Sequence, residues 1–382
     1  VILEAVRLRT EHPTAALAAK AGGITPRELT QRLVRAAQRG LDGSVPKPAP
    51  PGFVVKGTTT LYKPDGSTVL QWVRNTDEPS LEDIAAAMRT AFDGFKGFGR
   101  PIARPAHARA DLCTLTPIGD LHVGMYAWEG DSGTNWDLKI AEAVIGEAVD
   151  QTVLSSEKSG LGIVLFGGDY FHADNKNNET SKSRNPLDVD GRYDKVIEVG
   201  TRLAVRIIDR HLAHHDKVLA RALKGNHDEH SSVALAWFLK AYYRNEPRVT
   251  IDVDASLFFW HRFGEVMIGS THGHETKLAK LPQVMAVRRA ADWGATKFRF
   301  CHGFHLHHAD KLGFEDGGCI SEVHQTITPQ DTWNFGRGFL SGQSLSSITY
   351  HKNAGEVGRK RTVIMDNVVL PANDNIKKQK AA

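Results

Sequence analysis

Cysteine is scarce: Cys113, Cys301 and Cys319 are the three in 382 residues. An odd, scattered set argues against a disulfide framework and a cysteine-built zinc site, and points to a reducing compartment. No apolar run reaches the roughly 18 residues that a membrane-spanning helix demands, and no signal-peptide pattern opens the chain. These absences predict a cytoplasmic protein with no membrane partner. The first residue is Val1 and not Met, so the native start is expected upstream. The phosphate-cradling loop G-x-x-x-x-G-K-[S/T] is missing too. No internal repeat is present. Net charge is small, formally +4, and does not name a partner by itself.

What is present describes a globular protein, with 41% hydrophobic and 24% charged residues, and enough length to bury a real core. The charge is unevenly placed. Residues 1–40 hold seven Lys/Arg against three Glu, an excess that equals the whole net charge. Two short helices are predicted over residues 14–40, separated by Gly22-Gly23. The second opens at Thr25-Pro26-Arg27-Glu28, where a capping Thr, a Pro in the first turn and a Glu three residues after the cap give an initiation signal. Leu29, Leu33, Ala36 and Ala37 share one face, with Arg27, Arg32, Arg35 and Arg39 largely elsewhere. The spacing resembles a helix-turn-helix, whose second helix enters a major groove. A helical hairpin that contacts proteins through a solvated charged face is the alternative.

Four segments follow from composition: a helix-turn-helix-like segment over 1–43; a Pro-rich linker, hairpin and helix over 44–110; a large α/β domain over 111–370; and a basic tail over 371–382. Ser44–Gly52 is too rich in Pro for a helix. Runs 53–61 and 69–73 flank the turn signal Lys63-Pro64-Asp65-Gly66, and 80–91 reads as a capped amphipathic helix. Gly94–Arg104, rich in Gly, marks a second boundary. Beyond Asp111 apolar strands (112–118, 161–166, 217–223, 249–253, 257–263, 266–269, 297–301) alternate with helices (136–155, 196–211, 231–243, 281–293). Residues 174–192 read as a long mobile loop, and 350–365 complete the sheets.

Five polar clusters each follow a short apolar run: Gly119-Asp120-Leu121-His122, Gly168-Asp169, Gly225-Asn226-His227-Asp228, Thr271-His272-Gly273-His274 and His305-Leu306-His307. In alternating α/β chains such loops gather at the carboxyl ends of strands. Asp120 and His122 are two apart and grip one cation together, and Asp169 adds a carboxylate able to bridge two. Asn226 offers an amide oxygen; His272, His305 and His307 offer imidazole nitrogens. These seven mixed N and O groups, without thiolate, suit a pair of Mn, Fe or Zn ions. Such a pair clamps the attacking and leaving oxygens of a displacement at phosphorus. A metallo-β-lactamase pattern fits worse, because His305-Leu306-His307-His308-Ala309 puts Ala where a carboxylate is needed.

From Leu112 to His308 the order and content of these motifs resemble the calcineurin-like metallophosphoesterases. The flanking regions look similar to bacteriophage and prophage members that carry a small N-terminal DNA-binding-like segment. The resemblance implies a four-layer αββα sandwich. It implies one metal on Asp120, His122, Asp169 and His307 and a second on Asp169, Asn226, His272 and His305, with Mn, Fe, Zn or Ni as candidates. His227 would be the general acid or transition-state stabiliser, and Asp228 its orienting partner. The family's last motif usually begins with Gly where Phe304 stands, so the turn is expected to differ, with Gly303 in compensation. His274 is an alternative to His272, and His172, His230 and His308 are expected nearby as supporting groups. The function implied is a two-metal phosphodiesterase or nuclease with DNA as partner. The alternatives are a phosphomonoesterase on a protein or small molecule, and a DNA-binding regulator with a vestigial hydrolase domain.

Overall fold

The computed structural model describes residues 1–38, 55–63, 68–75, 97–180, 183–307, 314–330, 335–336 and 341–370. The expected linker at 44–52, the helix at 80–91, the tail at 371–382 and His308 lie outside them. The chain forms two compact units, Val1–Gly94 and Phe95–Ala382.

Among the described residues the first unit holds three helices: α1 (Ile2–Glu11), α2 (Ala15–Ala21) and α3 (Pro26–Gln38). Small and branched side chains let them approach closely, and Ala5, Leu8, Ala18, Ala19 and Leu29 form their core, with Ile24 and Leu33 packed on it. The Thr25 hydroxyl accepts from Glu28 N at 3.2 Å while Glu28 accepts from Thr25 N at 2.8 Å, a reciprocal capping box. Gly23 turns the chain with φ 63°, a conformation cheap for glycine. Helix α1 was not expected, because Val1 makes no side-chain cap and gives no start signal. Strands β1 (Val55–Tyr62) and β2 (Thr68–Asn75) pair antiparallel as the predicted hairpin.

In the second unit two sheets lie face to face. The larger contains β3 (Arg109–Ile118), β4 (Ser159–Phe166), β5 (Lys217–Ala222) and β6 (Val249–Asp252), all parallel to one another. The smaller contains β7 (Phe258–Phe263), β8 (Val266–Thr271), β9 (Phe298–Gly303), β10 (Phe314–Asp316) and β11 (Cys319–Val323) in the order β10-β11-β9-β8-β7. Then β12 (Gln343–His351) pairs antiparallel with β3, β13 (Gly355–Met365) antiparallel with β12 and β14 (Val368–Leu370) antiparallel with β13, giving the order β14-β13-β12-β3-β4-β5-β6.

Alternation along the strands divides the core into three layers of contact. Cys113, Leu115, Ile163 and Leu165 of the large sheet meet Phe259, Val266, Ile268 and Phe300 of the small one. On the outer face of the large sheet, Ile118, Val164, Phe166 and Val218 meet α4 (Leu138–Ser155) and α5 (Tyr193–His214); α6 (Ser231–Tyr242) adds Leu235 and Leu239. On the outer face of the small sheet, Met267 and Cys301 meet Leu281 and Met285 of α7 (Leu281–Arg288). The architecture is therefore the four-layer αββα sandwich. The near-continuous apolar run of β4 is that of a strand covered on both faces.

Three expectations change. Residues 97–110, placed by composition in the middle segment, are fastened to the large unit, through Gly99 N to Tyr242 O and the Arg104 to Asp216 ion pair. The single helix expected over 281–293 breaks at Arg289 (φ −124°, ψ 42°) into α7 and α8 (Ala290–Gly294); with no Gly or Pro there, the sequence carries no stop signal. The loop 174–192 is irregular but anchored. Asp188 O accepts from Tyr126 N, and the Asp190 carboxylate accepts from Leu138 N. No helix among the described residues is long and apolar enough to cross a membrane.

Leu115 is fully buried between the sheets. Leu115→Ala is expected to lower the unfolding free energy by roughly 2–5 kcal/mol, read as a shift of the urea midpoint at unchanged m-value.

Candidate metal centre

The five loops that follow β3, β4, β5, β8 and β9 carry all seven expected ligand residues, and they meet where the two sheets' strand ends converge. Asp120, His122 and His307 bring ligand atoms within 4.8 Å of one another, and so do Asp169, His272 and His305. The Asn226 amide oxygen is 3.4 Å from His272 Nε2, which stands 3.2 Å from Asp169 Oδ2. The two groups adjoin: His272 Nδ1 is 3.9 Å and His307 Nε2 3.5 Å from Asp120 Oδ1. The structure thus brings Asp120, His122 and His307 together in one group and Asp169, Asn226, His272 and His305 in the other; the family resemblance would also place Asp169 with the first.

The loops hold unusual backbone. Asp120 (φ 53°), His122 (φ 44°), Asp169 (φ 49°), His305 (φ 72°) and His307 (φ 58°) all sit in the left-handed region, which L-residues enter at a cost of order 1–3 kcal/mol each. Asp228 is what fixes two of the loops together. Its buried carboxylate accepts from Asp169 N (3.1 Å), Tyr170 N (2.8 Å), Phe171 N (3.2 Å) and Gly225 N (3.0 Å). The Asp228 bonds are thus to backbone amides and not to the His227 ring, where the sequence expectation made it that ring's orienting partner. The His227 ring is set instead by Nδ1 against the His172 carbonyl, 2.8 Å. An acceptor-only carboxylate is the side chain best suited to gather several backbone amides.

Glycines shape the floor. A Cβ on Gly225 would lie 1.9 Å from Asp169 Oδ1, so the carboxylate takes the space a side chain would need. The Phe304 ring lies where a Cβ on Gly119 or Gly167 would come within 2.1 Å and 2.4 Å of it. Phe304 and Gly303 both keep ordinary negative φ. Thus the departure from Gly at 304 is met by a buried ring seated on two glycines, and Gly303 does not compensate through a left-handed turn. The residues that sequence reasoning missed are these packing positions. Their signal is the Gly that stands before Asp120, before Asp169 and before Asn226.

The donor set fits divalent cations. Asp120 and Asp169 are each 1% exposed, and Asp120 Oδ1 has no hydrogen-bond partner among the described residues. Burial raises the Asp120 carboxyl above its ordinary range, against the pull of His307 and His272. Burial also works against the Asp169 carboxylate, but the charges of His272 and His227 hold it well below the usual range. Burial pushes His122 far down and His305 down to about 4, leaving neutral imidazoles with lone pairs, the form a metal takes. His272 loses by burial and gains more from Asp169, reaching about 9; in the absence of a metal a proton supplies the positive charge that Asp169 demands. His272 Nδ1 donates to the Gly167 carbonyl at 2.9 Å, the outer contact that usually aims a ligating nitrogen. His122 Nδ1 is likewise engaged, 3.2 Å from His172 Nδ1, with Nε2 turned to His307.

Neighbouring histidines divide by role. His274 lies beside the site, its ring 5.2 Å from His272, with Nδ1 unpartnered among the described residues. His230 is exposed and bonded to Asp174. Asp174 also accepts from the backbone at His230 and Ser231 and so caps the positive end of α6.

No protein-family model matches the chain, and no curated protein is similar to it in sequence. Among solved structures, the chain is similar to a Streptococcus pneumoniae TIGR4 protein described as a predicted phosphoesterase, at 12% identity and TM-score 0.29, over 67% of this chain and 91% of that one. It is similar to Chaetomium thermophilum Vps29 at 12% identity and TM-score 0.30, over 68% and 95%. It is also similar to the Thermus thermophilus sulfate thiohydrolase SoxB at 10% identity and TM-score 0.29, over 69% and 58%. At such scores these likenesses carry no argument, and the fold and site rest on the geometry above.

Gly225→Ala is expected to displace the Asp169 carboxylate. Elemental analysis after loading with Mn should then find less metal than in the unmodified protein, while the circular dichroism spectrum is unchanged.

Proposed function

We propose that this protein is a metal-dependent phosphoesterase acting on phosphodiesters, with DNA as its substrate class. The observation that carries the reading is the pair of adjoining three-residue groups, Asp120/His122/His307 and Asp169/His272/His305, built on two buried carboxylates. With Asn226 beside His272, the residues would hold two divalent cations, Mn first among Mn, Fe, Zn and Ni on the strength of the mixed N and O donors. Bound there, the pair supplies Lewis acidity at the phosphoryl oxygens and a nucleophile from water at neutral pH.

The chain's own groups do the rest. Asp169 would be the carboxylate shared by the two cations, and it stands 3.2 Å from His272 Nε2. Its Oδ1 accepts from His227 N at 2.8 Å, so the bridge and the candidate acid are fixed to each other. With Nδ1 committed to the His172 carbonyl, His227 presents Nε2 as the nitrogen that carries a proton to the leaving oxygen. Asp228 is a positioning residue: by holding the amides at 169–171 and 225, it fixes the distance between the bridge and His227. The DNA substrate is supported by the basic first forty residues and by no feature of the metal centre.

The test is turnover of a bis-aryl phosphate, a mono-aryl phosphate and a DNA duplex by Mn-loaded protein. The diester and the DNA should be cleaved, and Asp169→Ala should remove the activity. His227→Ala should lower kcat by about 10²–10⁴ with metal content retained. Preference for the mono-aryl ester would move the reading to a phosphomonoesterase. Failure on every ester with Mn, Fe, Zn or Ni would overturn it.

A further inference from the structure

The metal centre leaves the N-terminal unit unexplained. Its core uses one face of α3, through Leu29 and Leu33, with Ala36 also buried. The opposite face carries Arg27, Gln31 and Arg35, all exposed and spaced i, i+4, i+8, so they form a single stripe along the helix. Thr30 flanks it, with its hydroxyl turned back to the Pro26 carbonyl at 2.8 Å. Glu28 is the acidic residue of α3 and is withdrawn from the stripe by its bonds to Thr25. No ion pair engages Arg27, Arg32 or Arg35 among the described residues, whereas Arg7 on α1 is paired with Glu4 and Glu11.

Chemistry and shape agree on the occupant. Gln and Arg are the side chains that make two-pronged contacts to adenine and guanine edges in the major groove. Helix α2, the Gly22–Thr25 turn with Gly23 at φ 63° and helix α3 reproduce the two helices and short Gly-containing turn of DNA-reading modules. The capping box and Pro26 start α3 sharply, so Arg27 stands in its first turn, where recognition helices touch bases.

We propose that the N-terminal unit binds duplex DNA with α3 in the major groove, Arg27 and Gln31 reaching base edges and Arg35 the phosphate backbone. The unit would hold a duplex by itself, so this assignment stands or falls apart from the metal centre. The occupant is a nucleic acid and not a protein face, because the stripe is cationic, amide-bearing and free of large apolar side chains.

The experiment uses the full chain and a short fluorescent duplex of random sequence, with anisotropy followed in chelator so that nothing is cut. Binding should weaken steeply with salt. Arg27→Ala/Arg35→Ala should lower affinity at least about tenfold and flatten the salt slope by about two. Helical content and bis-aryl phosphate turnover should stay at the parent level. Arg35→Gln, which keeps a strong helix former in place, serves if the double variant misfolds, and should still lower affinity. Arg7→Ala, outside α3, should bind like the parent. Parent-level affinity in both α3 variants would overturn the proposal, as would equal loss in Arg7→Ala or preference for single-stranded over duplex DNA. A loss of bis-aryl phosphate turnover in Asp169→Ala with duplex binding intact would separate the two functions.

Discussion

Two carboxylates buried side by side are the constraint on which the larger unit depends. Asp120 and Asp169 are both almost fully removed from water, and taking ionised groups into a low-dielectric interior is costly unless opposite charge accompanies them. Among the described residues the groups that face the pair are imidazoles, and burial lowers His122, His172 and His305. His272 is raised, by Asp169. The donor set therefore suits a divalent cation, and Asp120 Oδ1, with no hydrogen bond among the described residues, is the atom most open to one.

Everything around the pair serves to keep it in place. The candidate ligands come from strand ends of both sheets, so the inter-sheet core of Leu115, Ile163, Phe259 and Ile268 is also what sets the spacing of the two halves. The left-handed backbone at five ligand residues is held by cross-links from one loop to another: Asp228 to the amides at 169–171, His305 N to Asp120 Oδ2 at 3.0 Å, and Thr326 Oγ1 to the Asp120 carbonyl at 2.6 Å. Local strain of this kind persists only where the surroundings over-determine it.

Much of this was legible in the sequence because the strands are short apolar runs and each ligand lies just past one. Residues 161–166 could only be a covered strand, and Asp169 after Gly167-Gly168 could only lie at its end. The capping signal at Thr25 was equally plain. What could not be read are features without local period or punctuation: the break at Arg289, the start of α1 behind an uncapped Val1, and β12, whose Gln343–Ser347 half alternates too weakly with polar residues. Asp228 was misassigned for a related reason. Adjacency to His227 in the chain implied adjacency of function, whereas a carboxylate's partners are chosen in space, and four backbone amides lay nearer.

Phe304 has one further implication. Its ring fills the volume that side chains at 119 and 167 would otherwise occupy, so a ring at 304 excludes a side chain at either glycine. Exchange of residues among relatives of this chain would therefore have to proceed by paired replacement: a glycine at 304 would open room at 119 or 167, and an alanine at either would demand that the aromatic first be lost.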